Sequence, residues 1–489
     1  VPWKEVGGDI VTIWTRDNVT LHTGDVMTRI QEIPAGTVHC VVTSPPYFAL
    51  RSYLPKGHAD KGKEIGSEPT PEAFIATMVA VFREVRRVLR DDGCCFINLG
   101  DSYGRGDRPK WKGDAKRDQH GLQSDVCYED NYAHGQALPE GQLQNIPNRV
   151  AEALRQDGWI WRQTIIWAKR SPMPESVVGW RWQRCRVKVA DGPRTSTQWN
   201  QRPPEESGGS IHREPVWSDC PGCPKCEKNG GYVLRRGRGR CTTAHEYIFL
   251  LAKTNRYFWD SQASGEPCLP DSNRREKCGF NASPSQMQSR VPFVKQAGFE
   301  FHSRNPRSVW TLSSEPSSIR HFATFPGELV RRCLASSPAT GGVCAKCGTP
   351  FAPVVESERV PTRPGTDSKV IGAMNPDSPY MDHAGIGNRD PERHCTATKV
   401  KGYRPTCWCG AGKTGPTILD PFSGTGTTGQ TARHLGCRYI GIELNQEYQE
   451  FAKVRIFEPP RWWLRQQAKE GKPVKVAREQ MSLFAEAKA

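Results

Sequence analysis

The chain lacks any apolar run approaching the length of a bilayer-spanning helix, and its first 40 residues hold neither the apolar segment of a secretory signal nor a transit-peptide composition. These absences predict a cytoplasmic protein with no membrane partner. Acidic residues are in deficit, 52 Asp and Glu against 68 Lys and Arg, which leaves a formal charge of +16. No single basic tail holds the excess; spread along the chain, it suits a polyanionic partner, although histone-like and ribosomal proteins share that property. Eighteen cysteines are many for a reducing compartment. Their close pairing favours metal ligation over disulfides.

A length of 489 residues allows two or three domains, or one large α/β domain with substantial insertions, and the motif order favours the second. The chain is organised around Thr43-Ser44-Pro45-Pro46-Tyr47, which follows the apolar pair Val41-Val42. Two consecutive prolines fix φ twice and remove two donors, so a strand must end there and nearby carbonyls lose their ladder partners. The Ser44 hydroxyl and the Pro45 carbonyl can then accept the protons of an exocyclic amino group, and the Tyr47 ring offers a stacking face for a flipped base. A proline-stiffened turn would have the same sequence.

A second stretch runs from Ile418 through Asp420, Pro421, Phe422, Gly424 and Gly426 to Thr427 and Thr428, followed by a strand ending at Glu443. Strand, glycine-rich turn, helix and second strand with a terminal carboxylate describe a nucleotide-type cofactor site. Gly424, Gly426 and Gly429 also satisfy G-x-G-x-x-G, the fingerprint of a dinucleotide site. Asp420 argues against it: a carboxylate before the turn repels a pyrophosphate but suits the cationic end of a sulfonium amino acid. S-adenosylmethionine fits both ends, with Glu443 on the ribose hydroxyls.

Together the two motifs resemble the amino-group DNA methyltransferases, which methylate N4 of cytosine or N6 of adenine. The order, Ser-Pro-Pro-Tyr first and cofactor loop last, is similar to the β-class permutation of that family, and the resemblance spans nearly the whole chain. It implies a doubly wound, mostly parallel Rossmann-like sheet with permuted motif order and an inserted target-recognition region. It implies Ser44, Pro45, Pro46 and Tyr47 as catalytic residues. Asp25, Thr43, Thr324, Phe325, Asp420, Pro421, Phe422, Gly424, Gly426, Thr427, Thr428 and Glu443 would bind the cofactor. Asp25 equally suits a helix N-cap, and the Phe325 ring suits the core better than the cofactor. Within the family Ser-Pro-Pro-Tyr accompanies N4-cytosine methylation more often than N6-adenine methylation. Double-stranded DNA, a cognate restriction enzyme and a monomeric or homodimeric state belong to the same expectation. An NAD-dependent oxidoreductase and a non-catalytic zinc-containing DNA-binding protein are the competing classes.

Between the motifs, Thr70-Pro71 opens a helix whose Phe74, Met78, Phe82, Val85 and Leu89 repeat at helical spacing, with Asp91-Asp92-Gly93 as its stop. A buried strand over 94–99 leads to Asp101, which either lines the site or holds a turn. Residues 104–142 are too polar for a core element and read as a loop that closes over DNA. The predicted organisation is a catalytic half-core over 1–178 and a zinc-knuckle insertion over 179–244. A core strand over 245–260 and more of the recognition region over 261–305 follow. Then come a cofactor-covering element over 306–340, a zinc-ribbon-like insertion over 341–415, the cofactor half of the core over 416–458 and a basic tail.

Cys220, Cys223 and Cys226 form a tight knuckle, with Cys185 preferred over Cys241 as the fourth ligand. Cys344 and Cys347 with Cys407 and Cys409 form two knuckles of a ribbon. No His or carboxylate cluster accompanies either set, so the expected zinc ions are structural. Between 181 and 240, 13 Lys or Arg face 6 Asp or Glu, with Trp182, Trp199 and Trp217 interleaved, a pattern suited to phosphate contact and stacking.

Overall fold

The computed structural model describes residues 13–50, 52–54, 57–104, 139, 141–172, 174–175, 177–194, 213–237, 239–266, 305–315, 325–361 and 394–470. Thr324, Trp199, most of the 104–142 loop, residues 267–304 and the end of the basic tail lie outside them. The described residues fall into two compact units, one drawn from Val1–Tyr257, Ser308–Arg331 and Thr417–Ala489, the other from Phe258–Arg307 and Arg332–Pro416. Among the described residues no helix is long and apolar enough to cross a membrane.

The first unit is built on a nine-stranded sheet. In chain order its strands are β1 (Ile13–Arg16), β2 (Val19–Thr23), β3 (Val38–Thr43), β4 (Leu89–Leu99), β5 (Ile160–Lys169), β6 (His245–Ala252), β7 (Val309–Leu312), β8 (Thr417–Asp420) and β9 (Arg438–Glu443). Across the sheet they run β1-β2-β9-β8-β3-β4-β6-β5-β7. The pairings β2-β9, β9-β8, β8-β3, β3-β4 and β5-β7 are parallel, while β1 and β6 run against their neighbours. Two consequences bear on function. The last strands of the chain, β8 and β9, are inserted between the first ones, which is the permutation expected from the motif order. The reversed β6 also starts where β4 and β5 end, so its first residues join the carboxyl edge of the sheet.

Helices cover both faces, because alternate residues of each strand point oppositely. Ile440 and Ile442 of β9 belong to a core that includes α1 (Pro71–Val88) and α2 (Ile146–Gln156). Tyr439 faces the other way, against α3 (Thr427–His434), where a Cβ on Gly429 would lie 2.5 Å from the Tyr439 ring. α1 begins as its sequence predicts: the Thr70 hydroxyl accepts from Ala73 N at 3.1 Å, Pro71 takes the first turn, and Phe74, Met78, Phe82 and Val85 are buried.

Its end differs from the expectation. The helix stops at Val88, and Leu89 is already extended and paired with Val38. The register then jumps to Cys40 opposite Cys94, so Arg90 to Gly93 form a bulge inside β4 and do not terminate the helix. Arg90 and Asp92 pair across that bulge at 2.8 Å.

In the second unit Phe351–Pro361 pairs antiparallel with His394–Pro405, and Val343–Cys344 with Lys413–Thr414. The Tyr403 hydroxyl donates to Asp260 Oδ2 at 2.9 Å. At the carboxyl end of the chain Trp462, in the helix Arg461–Lys469, is buried with its ring 5.3 Å from that of His434, so this part of the tail packs on the first unit.

These packing roles carry different energies. Phe82→Ala should lower unfolding free energy by about 3–5 kcal/mol and Thr70→Ala by about 1 kcal/mol, as read from urea-denaturation midpoints. Equal losses would contradict the assignment of α1's face and cap.

Candidate functional site

β3 and β8 are adjacent and parallel, yet the chain leaves them in opposite directions, toward β4 and toward β9. Ligand crevices of open α/β sheets form at such switch points. Here β3 runs into Ser44-Pro45-Pro46-Tyr47 and β8, ending at Asp420, into Pro421-Phe422. A cavity opens at this edge, lined on one side by Ser44 and Pro46 and on the other by Pro421, Phe422, Gly424 and Glu443.

The two strand ends are clasped together behind that cavity. The Thr43 hydroxyl donates to Asp420 Oδ1 at 2.6 Å, and Phe422 N donates to the same oxygen at 3.1 Å. Thr428 at the start of α3 donates its hydroxyl to Val42 O at 3.2 Å. Asp420 is 1% exposed, and burial pushes its carboxyl up to about 6 against these donors. Thr43, Asp420, Gly426, Thr427 and Thr428 therefore sit behind the cavity wall, whereas Pro421, Phe422 and Gly424 are on it. Gly426 must be glycine: its φ is +81°, and a Cβ would lie 2.8 Å from Ile456.

At the far end Glu443 closes the cavity. One carboxylate oxygen accepts from Gly424 N at 2.8 Å and the other from Asn445 N at 2.8 Å, and the Leu444 backbone N–H adds to their hold on the carboxylate. Burial pushes the carboxyl up to about 7, with charge from Asp420 adding to the rise. Asp25 lines the same cavity and also caps the short helix Val26–Arg29, accepting from Thr28 N at 3.2 Å. Tyr53, Leu54, Glu64 and Ile65 add to the wall. Glu64 ties it down, accepting from Tyr53 N and Lys61 Nζ, and Asn445 Nδ2 donates to Tyr53 O at 2.9 Å.

On the Ser44 side a polar group lies under the edge. Asn98, near the end of β4, donates through Nδ2 to Tyr47 Oη at 2.9 Å and Glu246 Oε2 at 2.8 Å. The Tyr47 hydroxyl donates to Glu246 Oε2 at 2.7 Å, and Lys169 at the end of β5 pairs with the other Glu246 oxygen. Burial and the Glu246 charge hold the Tyr47 phenol well above its ordinary range, hence protonated. Gly100 makes room, since a Cβ there would lie 2.7 Å from the Tyr47 ring. Asn98, Lys169 and Glu246 were not singled out in the sequence; Asn98 did carry a signal, as a polar residue inside an apolar strand. Asp101 is a turn residue, its Oδ1 accepting from Ser102 N at 2.9 Å and from Ile146 N at 3.1 Å. Phe325 is buried ahead of the helix Gly327–Ala335.

Both cysteine sets converge. Cys185 lies between the strands Arg181–Arg184 and Arg186–Arg194, whose partners Tyr232–Arg235 and Arg213–Asp219 bring Cys220, Cys223 and Cys226 to it. The four sulfurs lie within 4.8 Å of one another, and Cys241 is exposed and outside the group. In the second unit, pairing of Phe351 with Pro405 brings Cys344 and Cys347 to Cys407 and Cys409, again within 4.8 Å. Around the first cluster Trp180, Trp182 and Trp217 are exposed, and the Arg236 guanidinium lies 4.6 Å from the Trp180 ring.

Comparison with known proteins identifies the family. The DNA methylase family model of the N6/N4 methyltransferases matches residues 38–345 and 411–454, which include both strand ends of the cavity. The Type II methyltransferase M.XycI of Xanthomonas campestris pv. cyanopsidis is 27% identical over 437 residues, 89% of this chain and 87% of the relative. M.SmaI of Serratia marcescens is 27% identical over 433 residues, 88% and 89% of the two chains. Among solved structures, the cytosine-N4-specific PvuII DNA methyltransferase aligns at 12% identity and a TM-score of 0.41, covering 91% of this chain and 88% of its own. The chain belongs to the N6/N4 DNA methylases, the S-adenosylmethionine-dependent amino-group methyltransferases of DNA.

Proposed function

We propose that this methyltransferase acts on N4 of a cytosine flipped out of double-stranded DNA, with N6 of adenine as the second reading. The observation that carries the proposal is the placement of Ser44, the first residue of Ser-Pro-Pro-Tyr, on the wall of the cavity that Glu443 closes. Bound in that cavity, S-adenosylmethionine supplies an electrophilic methyl carbon. The Ser44 hydroxyl and the Pro45 carbonyl accept the amino protons, which returns lone-pair density from the ring to the nitrogen for in-line attack. Tyr47 and Pro46 hold the base. The Ser-Pro-Pro-Tyr form is what favours cytosine over adenine.

For the cofactor, the residues present fit. The Glu443 carboxylate suits two ribose hydroxyls, Asp25 suits an adenine edge, and Phe422 and Pro421 suit an apolar wall. Thr43 and Asp420, with Gly426, Thr427 and Thr428, would shape the loop from behind, Asp420 adding negative potential toward the sulfonium end. Thr324 and Phe325 would cover that end.

Two structural zinc ions complete the reading. Four thiolates around zinc stand about 3.8 Å apart for a Zn–S bond of about 2.3 Å, and Cys185–Cys223 and Cys223–Cys226 are 3.9 and 3.5 Å apart. The zinc-held segment, with its exposed tryptophans and arginines, would take part in DNA recognition. The Type II names of the relatives support a place beside a cognate restriction endonuclease, with the enzyme itself a monomer or homodimer.

Incubation with mixed-sequence double-stranded DNA and S-adenosylmethionine, followed by nucleoside mass spectrometry, should yield N4-methylcytosine; N6-methyladenine would overturn the choice of base and keep the chemistry. Ser44→Ala should cut the transfer rate by about 100-fold while cofactor affinity holds. Cofactor affinity should be full above pH 7 and fall by up to about tenfold per unit below it, because ribose hydroxyls favour the ionised form of a group that titrates near 7. Glu443→Gln should bind weakly and without that slope in calorimetric titrations. Elemental analysis should find two zinc ions for the two cysteine groups, and Cys223→Ser should lose one of them.

A further inference from the structure

Glu246 begins the reversed strand β6, far in sequence from Ser44, and reaches the site only because β6 runs against β4 and β5. Every charged or titratable group described against it is accounted for: Lys169 Nζ pairs with Oε1, and Tyr47 Oη and Asn98 Nδ2 both donate to Oε2. This has a directional consequence. Tyr47 has one hydroxyl proton and gives it to Glu246, so its oxygen can only accept from its other neighbours. Asn98 Nδ2 donates to it at 2.9 Å, and the Ser44 hydroxyl donates to it at 3.4 Å. Asn98 cannot reverse the sense, since turning its amide over would set its carbonyl against the Glu246 carboxylate. Ser44 also has a single proton, and that proton points at Tyr47. Asn98 Nδ2 also donates to Ser44 Oγ at 3.4 Å and takes one lone pair, so toward the cavity Ser44 offers its other lone pair and no donor.

We propose that Glu246 is a positioning residue that acts through Tyr47 to hold Ser44 as an obligate hydrogen-bond acceptor, and so makes the site select an amino group over a ring nitrogen or carbonyl. This rests on the reading of Ser44 as the acceptor of amino protons. Without the Glu246 carboxylate, Tyr47 is free to donate to Ser44. The Ser44 proton then turns toward the base, where it opposes the amino protons it should accept.

The test is a double-mutant cycle read by single-turnover methyl transfer, with the affinity of each variant for S-adenosylmethionine measured separately. Glu246→Gln should slow transfer by about tenfold or more, leave cofactor affinity unchanged, and cost nothing further in a Ser44→Ala background. Tyr47→Phe, which keeps the ring and removes the relay, should show the same coupling and carries the test if Glu246→Gln does not fold. Additive losses, or a parallel loss of cofactor affinity, would overturn the inference while leaving the methyltransferase reading intact. Wild-type protein that binds cofactor and DNA but transfers nothing to an amino nitrogen would overturn both.

Discussion

The hydrogen bond between the Thr43 hydroxyl and Asp420 Oδ1, at 2.6 Å, joins residues 377 positions apart, and the organisation of the site depends on it. Thr43 is the last residue of β3 and Asp420 the last of β8. The Ser44-Pro45-Pro46-Tyr47 loop follows the first of these strands and the Pro421-to-Gly426 loop the second, and both supply walls of one cavity. Parallel pairing of β3 with β8 brings the strands into register, and the clasp fixes how their two loops leave the sheet. A buried carboxylate is costly unless it is satisfied, so the donors that hold Asp420 also determine the path of the backbone around it.

The same economy appears at the two ends of the cavity. Glu443 is held by backbone N–H groups on the cavity wall, while Glu246 is filled by Lys169, Tyr47 and Asn98 one residue back from Ser44. Both stand at the carboxyl edge of the sheet, Glu443 because it ends β9 and Glu246 because it opens a strand of opposite direction.

Much of this was legible in the sequence. The helix over 71–88 announced itself by a Thr-Pro start and an apolar stripe, and the cofactor loop by two glycines and a terminal carboxylate. Cys220, Cys223 and Cys226, and Cys344 with Cys347, could be read from spacing because short C-x-x-C turns are local. What could not be read was long-range. Asp91-Asp92-Gly93 resembles a helix stop, yet pairing of Leu89 with Val38 claims that segment for β4. Lys169, Glu246 and Asn98 meet only through strand order, and no local pattern encodes the reversal of β6. Asp420 illustrates the intermediate case: its importance was evident from the motif, but its orientation toward Thr43 depends on a neighbouring strand.

The two loops form one site through the clasp behind them. The direct measurement is Thr43→Val, with S-adenosylmethionine affinity and single-turnover methyl transfer read on the same folded protein. Loss of both together, with secondary structure retained, is the predicted result. Full retention of either one would mean that the two loops work independently, and would contradict the claim.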